Sequence, residues 1–224
     1  MDTIIPGEIY YSLYINLSLF IVLFTIFHTL VLKIDDHKNI VFINFMGFAL
    51  LVFLILYIGW RPITSRFGFG DTGNYMVSFE KYRLGGSIKE VNDLGWHIFL
   101  KALSKIVSGH VFFTICAFLY IYPMYKISKF LFNNYWYYAF IMFIVSFSFW
   151  AYGVNGVRNG IAASIFLWGI CYHKNKLVMG LFFLWAIVFH KTLLLPILAF
   201  ILTYFFNNPK VYLKAWILSI PLSL

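Results

Sequence analysis

Charge is scarce in this chain. Only 11% of its 224 residues are charged, 62% are hydrophobic, and the mean hydropathy is +0.84. A soluble domain of that composition would show large apolar patches to water, so the composition points to an all-α polytopic membrane protein. Carboxylates are rarer still, eight against 17 lysines and arginines, and no paired-carboxylate motif suggests a divalent metal. The two cysteines, Cys116 and Cys171, both lie in apolar runs and read as packed small hydrophobes rather than a disulfide. The six histidines include no pair at metal-ligand spacing. Walker loops, Gly-x-Ser-x-Gly and His-Glu-x-x-His are missing. No cofactor and no metal are therefore expected. The N-terminus lacks a basic n-region and carries Asp2 and Glu8, which argues against a cleavable signal peptide.

What is present is a set of long apolar runs with ordered charge between them. Runs at 9–32, 40–60, 110–125, 135–152, 157–172, 177–189 and 193–206, with another opening near Val211, predict about eight transmembrane helices in a single transmembrane domain, 1–224. Every second gap carries two lysines and no arginine: Lys33 and Lys38, Lys126 and Lys129, Lys174 and Lys176, Lys210 and Lys214. The arginines Arg61, Arg66, Arg83 and Arg158 fall in the other gaps. The positive-inside rule puts the lysine loops in the cytoplasm and the N-terminus outside. The net charge of +9 is then an orientation and headgroup signal, with no nucleic acid as partner. The links at 153–156 and 190–192 are so short that some of these helices are expected to be broken or shallow and to line a cavity.

One outward gap, 61–109, is long. It holds Arg61-Pro62, a glycine-rich turn around Gly68 to Tyr75, and a basic-acidic stretch to Asp93. Residues 94–107 have an amphipathic period, with His97, Lys101, Ser104, Lys105 and Ser108 on one face and Ile98, Phe99, Ala102, Leu103 and Ile106 on the other. That pattern predicts an interfacial helix within an extracytoplasmic loop. The chain ends inside an apolar run from Trp216, which suggests truncation with missing C-terminal spans, or a naturally short variant.

The outward gaps bring Arg61, Arg66, Asp71, Tyr75, Glu90, Asn155, Arg158, His190 and Lys191 to one membrane face. Charge at membrane depth is costly and usually pairs or binds. Arg158 sits in Asn155-Gly156-Val157-Arg158-Asn159-Gly160, a glycine-flanked turn opening an apolar helix. Helix-opening amides and a guanidinium fork together suit phosphate or diphosphate; the rival reading is a snorkelling anchor. His190 is either a general base on a sugar hydroxyl or a histidine satisfied at a helix end. Asp71 is either an acceptor-binding carboxylate or an ordinary turn residue. Arg61 reads as phosphate ligand or interfacial anchor. Arg66, Tyr75, Asn155 and Lys191 complete the candidate diphosphate and glycan contacts, and Glu90 is explained as a solvated loop charge. The inner loops are too short for a nucleotide domain, so a reaction here would use an already activated substrate on the outer face, such as a lipid-linked diphosphate.

Trp60-Arg61-Pro62, Gly70-Asp71-Thr72-Gly73-Asn74-Tyr75, Gly95-Trp96, Asn155-Gly156-Val157-Arg158-Asn159-Gly160-Ile161-Ala162 and Phe189-His190-Lys191-Thr192 occur in that order. This resembles the EpsG-like family of bacterial polysaccharide polymerases, relatives of the Wzy O-antigen and capsule polymerases, over most of residues 55–195. Where the family's arginine element commonly reads Arg-Gln-Gly, this chain has Asn159 in the middle. The resemblance implies a multi-span protein of the bacterial inner membrane that polymerises undecaprenyl-diphosphate-linked oligosaccharides on its outer face. Arg61, Asp71, Arg158 and His190 would line the site. Membrane lipids, a chain-length regulator and a flippase are the partners it implies. The expected chemistry is metal-independent glycosyl transfer, with Arg158 steadying the departing diphosphate and His190 or Asp71 taking the acceptor proton. A flippase or transporter of lipid-linked glycan is the rival, and a membrane acyltransferase a weaker one.

Overall fold

The computed structural model describes residues 5–88 and 92–222, with side chains through residue 219. Among these residues the structure is helical with no strand. Helices α1 (Gly7–Val31) and α2 (His37–Gly59) form an apolar hairpin. The long gap folds as α3 (Thr72–Arg83) and α4 (Leu94–Ser104), followed by α5 (Gly109–Phe132). The chain then breaks into α6 (Trp136–Ile144), the single turn α7 (Phe147–Trp150) and a π-helical turn, Ala151–Asn155. Helices α8 (Val157–Ile170), α9 (Lys176–Phe189), α10 (Leu194–Phe205) and α11 (Pro209–Leu222) complete it.

Three stretches have the length and apolar composition to cross a membrane: Gly7–Val31, His37–Gly59 and Gly109–Ile144. This is a coarser result than the eight spans expected. The last stretch is not one rod. Asn133 takes a positive φ of 49°, and the rings of Tyr125 and Trp136 lie 4.8 Å apart, whereas eleven residues of straight helix would separate them by about 16 Å. Helix α6 therefore folds back on α5, and at nine residues it spans roughly 14 Å, about half a hydrocarbon core. Val157–Ile170, Lys176–Phe189 and Lys191–Phe205 are shorter apolar helical stretches.

Helix α5 is the centre. Its Phe112, Phe113, Cys116, Ala117, Tyr120 and Ile121 are buried, and it packs mainly on α2 and α8, while α8 packs on α9. Apolar burial alone does little to hold helices together in lipid, so close packing and hydrogen bonds carry more of the association. Tyrosines supply several of those bonds. The Tyr10 hydroxyl donates to the Tyr57 carbonyl, Tyr57 returns the bond to the Tyr10 carbonyl at 2.6 Å, and Tyr14 donates to the Ile144 carbonyl at 2.5 Å. Ser164 on α8 donates to the Tyr120 carbonyl at 2.7 Å.

The two classes of gap collect at opposite ends of α2 and α5. At the lysine end, Tyr135 donates to Asp35 at 2.7 Å, Asn44 donates to the Asn134 carbonyl at 3.1 Å, and Phe130 meets His173. The arginine gaps meet at the other end.

Helix α4 forms as its period predicts, but its buried stripe differs from the expected apolar face. Trp96, Leu100 and Ser104 are buried, whereas Ile98 and Ile106 are 52% and 77% exposed. Trp96 packs among Tyr75, Phe112 and Phe189, so the helix docks on α3 and α9 as well as offering an apolar outer edge. Gly95 makes this docking possible: a Cβ there would lie 2.4 Å from Val188 Cγ1 and 2.8 Å from the Val188 carbonyl oxygen. The Gly95→Ala variant must push α4 off α9, and we expect it to cost about 1–3 kcal/mol, read as a lowered thermal midpoint of the purified protein in detergent.

Candidate functional site

The arginine end is organised around an ion pair. Arg158 opens α8, and its Nη1 lies 2.8 Å from Asp93 Oδ2. The carboxylate is almost enclosed, at 6% exposure, while the guanidinium is one-third exposed. Asp93 Oδ1 accepts the backbone N–H of Lys191 at 3.4 Å. One side chain thus ties the start of α4 to the start of α8 and to the link between α9 and α10. Two imidazoles, His97 on α4 and His190 at the end of α9, lie within electrostatic reach of both Asp93 and Arg158. Burial is the main influence holding both rings below the usual histidine range. Arg158 pushes in the same direction and Asp93 opposes it, so both are neutral at pH 7.

The local sequence explains how Arg158 is presented. The π-helical turn closes with Gly156 N–H on the Ala151 carbonyl at 2.8 Å, and α8 then opens with Gly160 N–H on the Gly156 carbonyl. The first amides of α8 carry the positive end of its dipole. Tyr75 from α3 brings its hydroxyl to the Arg158 backbone amide, and burial is the main cause that raises its pKa. Gly70, with φ +46°, lets the preceding loop pass against Asn155: a Cβ there would sit 2.2 Å from Asn155 Oδ1. Asn155 Oδ1 and Arg158 Nε are buried and have no hydrogen-bond partner among the described residues.

Arg61 takes a different place. It is fully enclosed, with Nη1 donating to the Ile58 carbonyl at 2.7 Å and Nε to Thr72 Oγ1 at 3.1 Å. Its carbon lies 4.4 Å from the Phe113 ring centroid. Burial lowers its pKa to about 10, so it remains a cation. Thr72 passes the connection on by donating to the Val154 carbonyl at 3.0 Å. Arg61 is thus linked to the Arg158 turn through two bonds rather than by contact. Asp71 is exposed and accepts from Asn74 at 3.2 Å; it reaches the site electrostatically, through Tyr75. Arg66 is exposed in the loop, and the Lys191 side chain is exposed beside the pair. Glu90 lies outside the described residues.

The structure therefore gathers Arg158, Tyr75, His190 and the Lys191 backbone, and it adds two residues, Asp93 and His97, that no sequence motif marks. By sequence Asp93 reads as the end of a loop, two residues before the Gly95-Trp96 element. Among the described residues it and Arg61 are the buried charged side chains. By period His97 belongs to the polar face of an interfacial helix. Helix α3, which carries Tyr75 and Tyr82, covers what the sequence presents as the end of a glycine-rich turn and the start of a basic-acidic stretch. Among the described residues no three His, Cys, Asp or Glu side chains are grouped to hold a metal ion. What the site offers chemically is a guanidinium at a helix opening, a buried carboxylate and two neutral imidazoles: an anion holder next to proton-transfer groups.

Comparison with curated proteins and with solved structures returns no match. The EpsG family model matches residues 50–224. That span contains Arg61, Asp93, Arg158 and both flanking histidines. By this match over most of its length, the chain belongs to the EpsG family, membrane proteins related to polysaccharide biosynthesis.

Proposed function

We propose that the Arg158 site is the active site of a polysaccharide polymerase. It would join lipid-linked oligosaccharide repeat units by glycosyl transfer from an undecaprenyl-diphosphate-linked donor at the outer face of the inner membrane. The observation that carries this reading is the Arg158 fork, one-third exposed and held against Asp93 at the opening of α8. A planar guanidinium at a helix opening is matched to a diphosphate. The lysine end, by the positive-inside rule, faces the cytoplasm.

In this reading the bond between C1 of the growing glycan and its phosphate oxygen breaks. The diphosphate leaves with its charge on Arg158 and the first amides of α8. The acceptor hydroxyl of a new repeat unit forms the new bond to C1 and gives its proton to a group beside the pair. His190 and Asp71 are the proton acceptors the sequence suggests. His190 lies within electrostatic reach of Arg158, and Asp71 within that of Tyr75. The exposed Lys191 and Arg66 would draw anionic lipid carriers toward the mouth.

Two measurements test this. Purified protein in detergent, given lipid-linked repeat units, should produce a ladder of polymer. A flippase makes no ladder without a membrane to cross. Arg158→Lys keeps the charge and loses the fork, so we expect at least a hundred-fold loss of polymer with unchanged membrane insertion; long polymer from that variant contradicts the role. Orientation is read separately. In a Cys171→Ser background, R66C should react with a membrane-impermeant maleimide added outside intact spheroplasts, and reaction only after lysis would reverse the topology.

A further inference from the structure

The two imidazoles beside the ion pair are not equivalent. The Thr192 backbone N–H lies 3.3 Å from His190 Nδ1, and the Thr192 hydroxyl lies 3.0 Å from the same nitrogen. A backbone amide can only donate, so Nδ1 of His190 must be the unprotonated acceptor. The proton of neutral His190 is then on Nε2, which makes that nitrogen a donor. His97 has a different partner. Its Nδ1 lies 2.9 Å from the Tyr82 hydroxyl, and a phenol oxygen can accept as well as donate. Nδ1–H of His97 can therefore rest on the Tyr82 oxygen, leaving a lone pair on Nε2.

From these partners we infer that His97, held by Tyr82, is the catalytic base that takes the acceptor hydroxyl proton, and that His190 donates Nε2–H to the diphosphate oxygens. This rests on the glycosyl-transfer reading above. The step balances: the acceptor oxygen bonds to C1 as its proton passes to His97 Nε2, and the C1–phosphate bond breaks with its electron pair going to the diphosphate. The diphosphate charge is met by Arg158 and the His190 Nε2–H. The imidazolium of His97 then rests its Nδ1–H on Tyr82 until the proton returns to water. Oriented in this way, a histidine acts as base because its other nitrogen is already committed.

The groups facing His97 are Arg158 on α8, Asp93 before its own helix, and Lys81 and Tyr82 on α3. Lys101 lies one turn along α4, and Lys105 is drawn away to the Arg83 carbonyl. Those facing His190 are Asp93 and Arg158. Burial, Arg158 and Lys81 lower the His97 pKa below its ordinary 6.5, against Asp93. The base is active when neutral, so activity should fall as pH drops below 6.5, through the lowered pKa.

The test measures polymerisation of lipid-linked repeat units by the full chain in detergent across pH 4.5–8. His97→Asn keeps an amide where Nδ1 met Tyr82 and removes Nε2. We expect kcat to fall about a hundred-fold, KM to hold, and the acidic limb of the profile to vanish. His190→Gln should instead raise KM several-fold and keep the limb. Tyr82→Phe should lower kcat less and move the limb to lower pH, because imidazolium loses its acceptor. This variant carries the test if His97→Asn elutes as aggregate. A ladder from the wild type, with the limb intact in His97→Asn or unmoved in Tyr82→Phe, overturns the base assignment alone. Loss of the limb in His190→Gln does the same. No ladder from the wild type overturns the glycosyl-transfer reading and this proposal with it.

Discussion

The ion pair between Asp93 and Arg158 is the contact on which the arginine end of this molecule depends. A carboxylate enclosed to this degree is expensive to desolvate, and a single partner seldom compensates for it. Here the cost is shared. One oxygen takes the guanidinium and the other a backbone amide, so both oxygens have a donor. The result is positional. Three segments distant in sequence, preceding α4, opening α8 and following α9, are fastened to one side chain. Removing the carboxylate would free Arg158 and release the α9–α10 link together. The pair also keeps the fork from folding onto lipid headgroups, the usual resting place of a solitary interfacial arginine.

The irregular backbone around this pair follows from the same requirement. A continuous helix from Trp136 to Ile170 would satisfy its own hydrogen bonds and present no helix opening. The chain instead stops at Ile144, makes a short turn of helix, and closes a π-helical turn ending at Asn155. Broken helices at membrane depth persist only where protein surrounds the freed groups. The Phe149 carbonyl takes the Tyr120 hydroxyl at 3.0 Å, and the Val154 carbonyl takes Thr72. π-Helical turns cluster at functional sites because they shift register by one residue. In this molecule the shifted register places Val157 in the core, at 1% exposure, and Arg158 at the rim.

Much of this arrangement is legible in the residues alone, for a physical reason. Segregation of Lys33, Lys126 and Lys174 from Arg61 and Arg158 is a one-dimensional pattern. Alternate gaps of a helical bundle share an end whatever the detailed packing. The glycines around Arg158 likewise mark a chain break without reference to any partner. What stayed hidden depends on contacts across the fold. Asp93 looks like any loop carboxylate until α9 delivers the Lys191 amide to it. His97 looks like a solvated member of a polar stripe because the period of α4 is ambiguous by one position. Trp96, not Ile98, faces the protein, and this brings His97 against Tyr82. Helix α3 is hard to see in the residues because Thr72-Gly73-Asn74 has poor helix propensity; tertiary packing of Phe79 and Tyr82 overrides it.

Arg61 shows why a buried cation can be retained without a carboxylate. It stands just past the last turn of α2, where the helix leaves carbonyls without intrahelical partners and the negative end of its dipole favours a cation. Its Nη1 meets the Ile58 carbonyl there, its face lies on Phe113, and its Nε reaches Thr72. A lysine could not make these three contacts at once, because it has neither a flat face nor two separated donors. Thr72 in turn holds Val154, the residue before Asn155. The enclosed cation therefore helps set the position of the exposed one. The two arginines thus take different places, one enclosed against the turn and the other at the rim.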